Sequence, residues 1–175
     1  MIRRRSPAAP RARGRYSFRT TWHVAAAPER CWAELERTAT GAASPWWPGM
    51  RIVEPAGALV PDARIAMLVR APLGYRLRCT LRIAEVDPGA SLAADSDGDL
   101  TGRGRIEIAP HARGTRIRID WDVTVRRPWM RALGPVLRPA FAGAHAAVMR
   151  AGERGLRRVL ERDASGIRNP PNPGD

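Results

Sequence analysis

The chain has 175 residues, 44% of them hydrophobic, and a formal charge of +13; that size suits one domain with a substantial core. No apolar run approaches the ~20 residues needed to span a bilayer, so membrane insertion is not expected. All 30 basic residues are arginine and six of them fall in residues 1–15, where there is no acid, so part of the charge belongs to a low-complexity segment rather than to a folded surface.

In chain order, residues 1–14 read as a disordered basic tail. Residues 16–24 alternate, with Tyr16, Phe18, Thr20, Trp22 and Val24 on one face and Ser17, Arg19, Thr21 and His23 on the other, which predicts a half-buried strand. Pro28-Glu29 opens a short helix, proline in the first turn and glutamate near the positive end; its apolar side is Cys31, Trp32 and Leu35. Pro45-Trp46-Trp47-Pro48-Gly49 predicts a second compact unit, a turn or short helix. Strands follow near 50–54, 62–70, 74–86, 90–97, 100–109 and 114–125, separated by Pro55, Pro61, Pro72, Asp87-Pro88-Gly89, Asp97-Gly98 and Arg113-Gly114. The last is the clearest: Ile117, Ile119, Trp121, Val123 and Val125 alternate with Arg116, Arg118, Asp120 and Asp122.

After Arg127-Pro128 comes a long helical pattern. Leu133, Leu137, Phe141, Val148, Gly152, Leu156 and Val159 recur at spacings of three to four, with Arg150, Arg154, Arg157, Arg158 and Glu161 opposite. Gly134-Pro135 and Pro139 predict that 129–134 is a separate turn and that regular helix starts near Pro135. Gly152 and Gly155, each costing roughly 0.8–1 kcal/mol against alanine in a helix, predict close packing on a neighbour. The chain after Arg162, with Pro170, Pro171 and Pro173, reads as a disordered tail over 163–175. The fold class is therefore α+β: seven antiparallel strands whose apolar face is covered by a long C-terminal helix, with two short helices after the first strand.

His145 lies four residues after Phe141 and four before Met149, on the apolar side of the last helix. There it either satisfies a buried backbone carbonyl or presents a neutral imidazole to a ligand. Asp95, Asp97 and Asp99 do not make an EF-hand loop, because Leu100 and Ile106 stand where glycine and glutamate are required. None of the three histidines has a neighbour at metal-ligand spacing, and there is no glycine-rich phosphate loop, so neither a metal nor another cofactor is expected. Cys31 and Cys79 form no CxxC pair, and Arg3-Arg4-Arg5 is followed by no apolar export segment, so a reducing, cytoplasmic setting is expected. Strand aromatics and strand arginines point to opposite faces, which argues against a specific nucleic-acid partner.

Several strings resemble the START-like (SRPBCC, helix-grip) superfamily, particularly its polyketide cyclase/dehydrase-type members. They are the Trp22 strand with Ala27-Pro28-Glu29-Arg30-Cys31-Trp32, then Trp46-Trp47-Pro48-Gly49, Leu73-Gly74-Tyr75, Gly98 to Gly104, Gly114-Thr115, Trp121, and Phe141 to Met149. The resemblance implies a helix-grip domain over 15–162, with an apolar pocket between a curved sheet and the last helix. Trp22, Tyr75, Trp121 and Phe141, with Met67, Met149 and His145, would line that pocket, and Trp47 would stand at its mouth. One of the two adjacent tryptophans would cover the cavity and the other would pack outside. Two functions are implied. One is binding of a hydrophobic or polycyclic, lipid- or polyketide-like small molecule. The alternative is a cyclase or dehydratase using His145 as acid or base, which would want a second ionisable group in the cavity. A homodimer is compatible with either.

Overall fold

The computed structural model describes residues 14–42, 45–72 and 74–167, apart from the side chains at 131, 134, 135, 137 and 163–167. The basic tail expected over 1–14 lies outside the described residues except for Gly14, as do residues 168–175 and Leu73. The elements are β1 (Arg15–Val24), α1 (Pro28–Ala39), β2 (Met50–Glu54), β3 (Arg64–Arg70), β4 (Arg76–Asp87), β5 (Ser91–Gly98), β6 (Leu100–His111), β7 (Gly114–Val125) and α2 (Pro128–Ile167). The seven strands form one antiparallel sheet in the order β1-β7-β6-β5-β4-β3-β2. The sheet curls around α2, as the alternating strands and the apolar helix face lead one to expect.

Register explains which face is which. Tyr16 pairs with Val123, Phe18 with Trp121 and Trp22 with Ile117, and residues opposite each other across an antiparallel pair share a face. That face is the core: Trp22, Ile83, Ile117 and Leu156 are all fully buried. The other face is charged and wet. Arg82 meets Asp95, Arg103 meets Glu85, and Asp120 accepts from both Arg19 and Arg118. Exposed pairs of this kind contribute ~0–1 kcal/mol each, so they set solubility more than stability. α1 buries Cys31 and Trp32 as its spacing predicts, and its start is tied to β7 by the Thr115 hydroxyl, which donates to the Ala26 carbonyl at 2.6 Å.

Three local outcomes differ from the sequence reading. The unit at 45–49 takes the turn alternative, without a helix. α2 runs unbroken from Pro128, through Pro135 and Pro139, and continues past Arg162 to Ile167. The two prolines remove ladder hydrogen bonds, but Met130 and Phe141, on either side of Pro135, are 2% and 5% exposed in one cluster with Tyr16, Leu77, Val123 and Val125. That shared burial, ~1.5–3 kcal/mol per large side chain, holds the segment helical. Leu133, in contrast, does not face the sheet: it is 47% exposed. The helix N-terminal to Phe141 buries the Met130 side, so the apolar stripe extrapolated back from Phe141 ends in solvent.

Candidate functional site

The interior holds two neighbouring cavities that share part of their wall. The larger chamber, about 220 Å³, lies under α1 and the Trp46–Trp47 turn and includes Trp47, Met67, Ile106, Trp121 and Met149 in its wall. The smaller, about 80 Å³, is bounded by Tyr16, Phe18, Tyr75 and Phe141. His145, Val148 and Val69 border both. His145 thus stands in the wall that the two chambers share.

Glycines make this geometry fit. Gly104 on β6 pairs with Trp121 on β7, and the Trp121 ring occupies the space that a Cβ at 104 would need. A side chain there would push the indole into the larger chamber. Gly152 and Gly155 play the same part on α2. A Cβ at 152 would run into the Trp47 indole, and one at 155 into the Trp46 carbonyl. The close neighbour that two inward glycines predict is therefore the Trp46–Trp47 turn.

Both indoles fold inward. They stack with centroids 5.5 Å apart at 17°. Trp46 is 8% exposed, and its N–H donates to the Thr38 hydroxyl at 2.8 Å. Trp47 lines the larger chamber, and its N–H donates to the Val148 carbonyl at 3.0 Å. The expectation that one ring would pack outside fails because these residues sit in a turn, where neighbouring side chains need not alternate as they do in a strand.

His145 stacks flat on Phe18, with centroids 4.0 Å apart at 14°. Its ring nitrogens have no hydrogen-bond partner among the described residues, which leaves the backbone-satisfied alternative without support. Burial pushes its pKa from the ordinary 6.5 down to about 4, so the imidazole is neutral at physiological pH: one nitrogen donates and the other accepts. Thr38 and Arg105, also in the wall, are committed elsewhere. The Thr38 hydroxyl donates to the Glu34 carbonyl at 2.7 Å. Arg105 points its guanidinium to the outer face, where it binds Glu107 and Glu85. The phenols of Tyr16 and Tyr75 are pushed up by burial and stay protonated. Cys79 is buried outside the wall, and desolvation raises its thiol to about 11; Cys31 is likewise buried and raised. Neither supplies a thiolate. Among the described residues no cluster of three or more His, Cys, Asp or Glu side chains could hold a metal ion.

Of the residues expected at the pocket, Trp47, Met67, Trp121, His145 and Met149 meet at the larger chamber and Tyr75, Phe141 and His145 at the smaller. Trp22 does not line either. It is 1% exposed and packs edge-on behind Trp47 at 5.1 Å, and its indole N–H has no partner among the described residues. The residue the sequence reading passed over is Phe18. Its inward parity on β1 was visible, but its seat against His145 depends on where α2 lies.

A curled antiparallel sheet gripping a long helix over an apolar cavity defines a helix-grip α+β protein. Residues 15–161 match the family model described as polyketide cyclase / dehydrase and lipid transport, and the chain belongs to that family. No curated protein sequence matches it. Among solved structures it is similar to TTHA0849 from Thermus thermophilus, with 17% identity, a TM-score of 0.67, and coverage of 85% of this chain and 99% of that one. It is also similar to the Zhui aromatase/cyclase from Streptomyces sp. R1128, with 16% identity, a TM-score of 0.65, and coverage of 86% and 96%. The di-domain ARO/CYC StfQ from the steffimycin biosynthetic pathway matches at 18% identity and a TM-score of 0.62, over 89% of this chain and 54% of that one. At these identities the likeness is one of fold. Among the described residues no helix is long and apolar enough to cross a membrane.

Proposed function

We propose that the chain binds a hydrophobic small molecule with fused or linked rings in these neighbouring chambers, with its polar edge at His145. The observation that carries this reading is the His145 imidazole, neutral and without a hydrogen-bond partner among the described residues, set in the shared wall of two largely apolar chambers. A ligand hydroxyl or carbonyl placed there would hydrogen-bond that imidazole, while aromatic walls cover the rest. Size restricts the ligand. A cavity of ~150 Å³ accommodates benzene, so chambers of about 220 and 80 Å³ suit two or three rings rather than a long acyl chain.

The cyclase/dehydratase alternative draws on the same histidine and on the family description. Two observations favour binding over it. The ionisable groups that share the walls with His145 are ill suited to assist it: the Arg105 guanidinium is held on the outer face by Glu107 and Glu85, and burial keeps the Tyr16 and Tyr75 phenols protonated. A base whose conjugate acid has a pKa of about 4 is also poorly matched to proton abstraction near neutral pH, where efficient general bases titrate near the working pH.

The test is displacement of a hydrophobic reporter dye by hydroxynaphthalenes and hydroxyanthraquinones, compared with a cavity-filling variant. Ala94 is 5% exposed and lines the larger chamber. Ala94→Leu is expected to abolish uptake while the protein stays folded by circular dichroism. Equal uptake by the filled variant, or no uptake by the unaltered chain, contradicts the proposal.

A further inference from the structure

One end of the molecule gathers the β3–β4 connection, the β5–β6 turn and the β7–α2 junction. Asp99 ties them together: its carboxylate accepts from the Arg127 side chain and the Arg78 amide, and its carbonyl accepts from the Arg126 amide. Two features of this end have no internal explanation.

The first is apolar. Trp129, Leu133 and Val136 fall at i, i+4 and i+7 on one face of α2 and are 42%, 47% and 77% exposed. They form a ridge on the first turns of the helix; the other exposed large apolar side chains among the described residues, Val53 and Val60, lie on β2 and in the β2–β3 connection. Trp129 touches Tyr75 and Phe141, with centroids 6.1 and 6.3 Å apart, and those two rings wall the smaller chamber. The ridge therefore borders the cavity.

The second is electrostatic. Arg70 on β3 stands directly opposite Arg76 on β4, a like-charge pairing that destabilises a sheet. Arg76 and Arg78 line a shallow groove with Tyr75 and Gly74. None of the three guanidinia forms an ion pair among the described residues, whereas Arg82, further along the same face of β4, holds both Asp62 and Asp95. Arg126 is exposed beside them. Of the two acids nearby, Asp99 is already neutralised by Arg127; the other is Asp97.

We propose that this end docks peripherally on an anionic lipid bilayer, with Trp129, Leu133 and Val136 entering the interfacial layer and Arg70, Arg76, Arg78 and Arg126 facing lipid phosphates. An apolar helix face carrying a tryptophan and flanked by arginine is what such an interface rewards. Each arginine at the surface strengthens partitioning about fivefold. The inference stands on the surface alone and does not require the cavity to be occupied.

The test is sedimentation of the full chain with vesicles of phosphatidylcholine alone or mixed with phosphatidylglycerol. Binding is expected only to the mixed vesicles. Val136→Asp should lower it about tenfold or more; that side chain is 77% exposed, so the variant folds. Arg76→Gln and Arg78→Gln should each weaken it about fivefold. Arg154→Gln with Arg158→Gln, exposed on the distant part of α2, should leave it unchanged. Absence of binding overturns the proposal. So does an equal loss with the Arg154/Arg158 pair, which would mean diffuse charge attraction. A concentration-dependent dimer in light scattering that Val136→Asp abolishes would show that a second copy covers the ridge, and would overturn it too.

Discussion

Gly152→Ala sets two well-defined effects against each other. In an exposed helix interior the change stabilises by about 0.8–1 kcal/mol, because alanine loses less backbone freedom on folding. Here the new methyl would meet the Trp47 ring, with the indole nitrogen 2.6 Å and Cδ2 2.9 Å from the Cβ position. Retreat into the larger chamber would cost Trp47 its stack on Trp46, its edge contact with Trp22 and its bond to the Val148 carbonyl. Overpacking costs about 1–3 kcal/mol, and loss of the indole hydrogen bond adds about 0.5–1.5 kcal/mol. The clash wins, for a net destabilisation of about 1–3 kcal/mol. Urea unfolding of a double-mutant cycle checks this. Gly152→Ala should destabilise the native background but be neutral or stabilising once Trp47→Ala has removed the obstacle. A stabilising effect in the native background would refute the seating of Trp47 on α2.

Three further outcomes are expected. Because the folded-state pKa of His145 lies below its ordinary value of 6.5, the unfolded chain takes up the proton first: stability is full above pH 6.5 and falls by up to about 3 kcal/mol as pH drops toward 4. His145→Phe, which keeps the stack on Phe18, should flatten the pH 4.5–7 stretch of a thermal-stability profile; an unchanged slope would place the titration elsewhere. Trp121→Ala should cost less than the ~3–5 kcal/mol of a fully buried aromatic, about half of it, because the ring borders the chamber; a full core penalty in chemical denaturation with undiminished dye uptake would mean that the ring does not face it. Asp99→Ala should cost about 1.5–3 kcal/mol through the lost charge-assisted bonds to Arg127 and Arg78. The native carboxylate, held below its usual range by the Arg127 hydrogen bond first, adds stability present above the ordinary carboxylate pKa and lost as pH falls through the lowered one. The alanine variant should therefore lose the native acid transition in that range.

Period-two alternation carried the sheet. Ile117, Ile119, Val123 and Val125 are buried because a strand at that register has no other way to hide them, and the same parity placed Arg82, Arg103 and Arg118 outside. The pocket was partly legible for the same reason: Met67, Tyr75 and Trp121 sit at inward parity, and Phe141, His145 and Met149 share a helix face. What parity cannot supply is depth. Trp22 and Phe18 point the same way from one strand, yet Trp22 is sealed behind Trp47 while Phe18 meets His145. The difference lies in the packing of the 45–49 turn and α2, which are distant in sequence.

The helix shows where a repeating pattern misleads. Extrapolating the stripe from Phe141 back to Leu133 assumes that the sheet continues beneath it. Met130 and Phe141 are buried against Tyr16 and Val123, whereas Leu133 and Val136 sit on the outward side of the same turns. A periodicity argument reports which residues share a face, never what stands opposite that face. Glycine spacing carried the complementary information: Gly152 and Gly155 cost helix propensity, and the penalty is tolerated because something must come closer than a Cβ allows. That something is an aromatic turn roofing the cavity. The same two glycines thus tie the stability of α2 to the shape of the chamber, so a ligand that displaces Trp47 would have to break the contact that those glycines exist to permit.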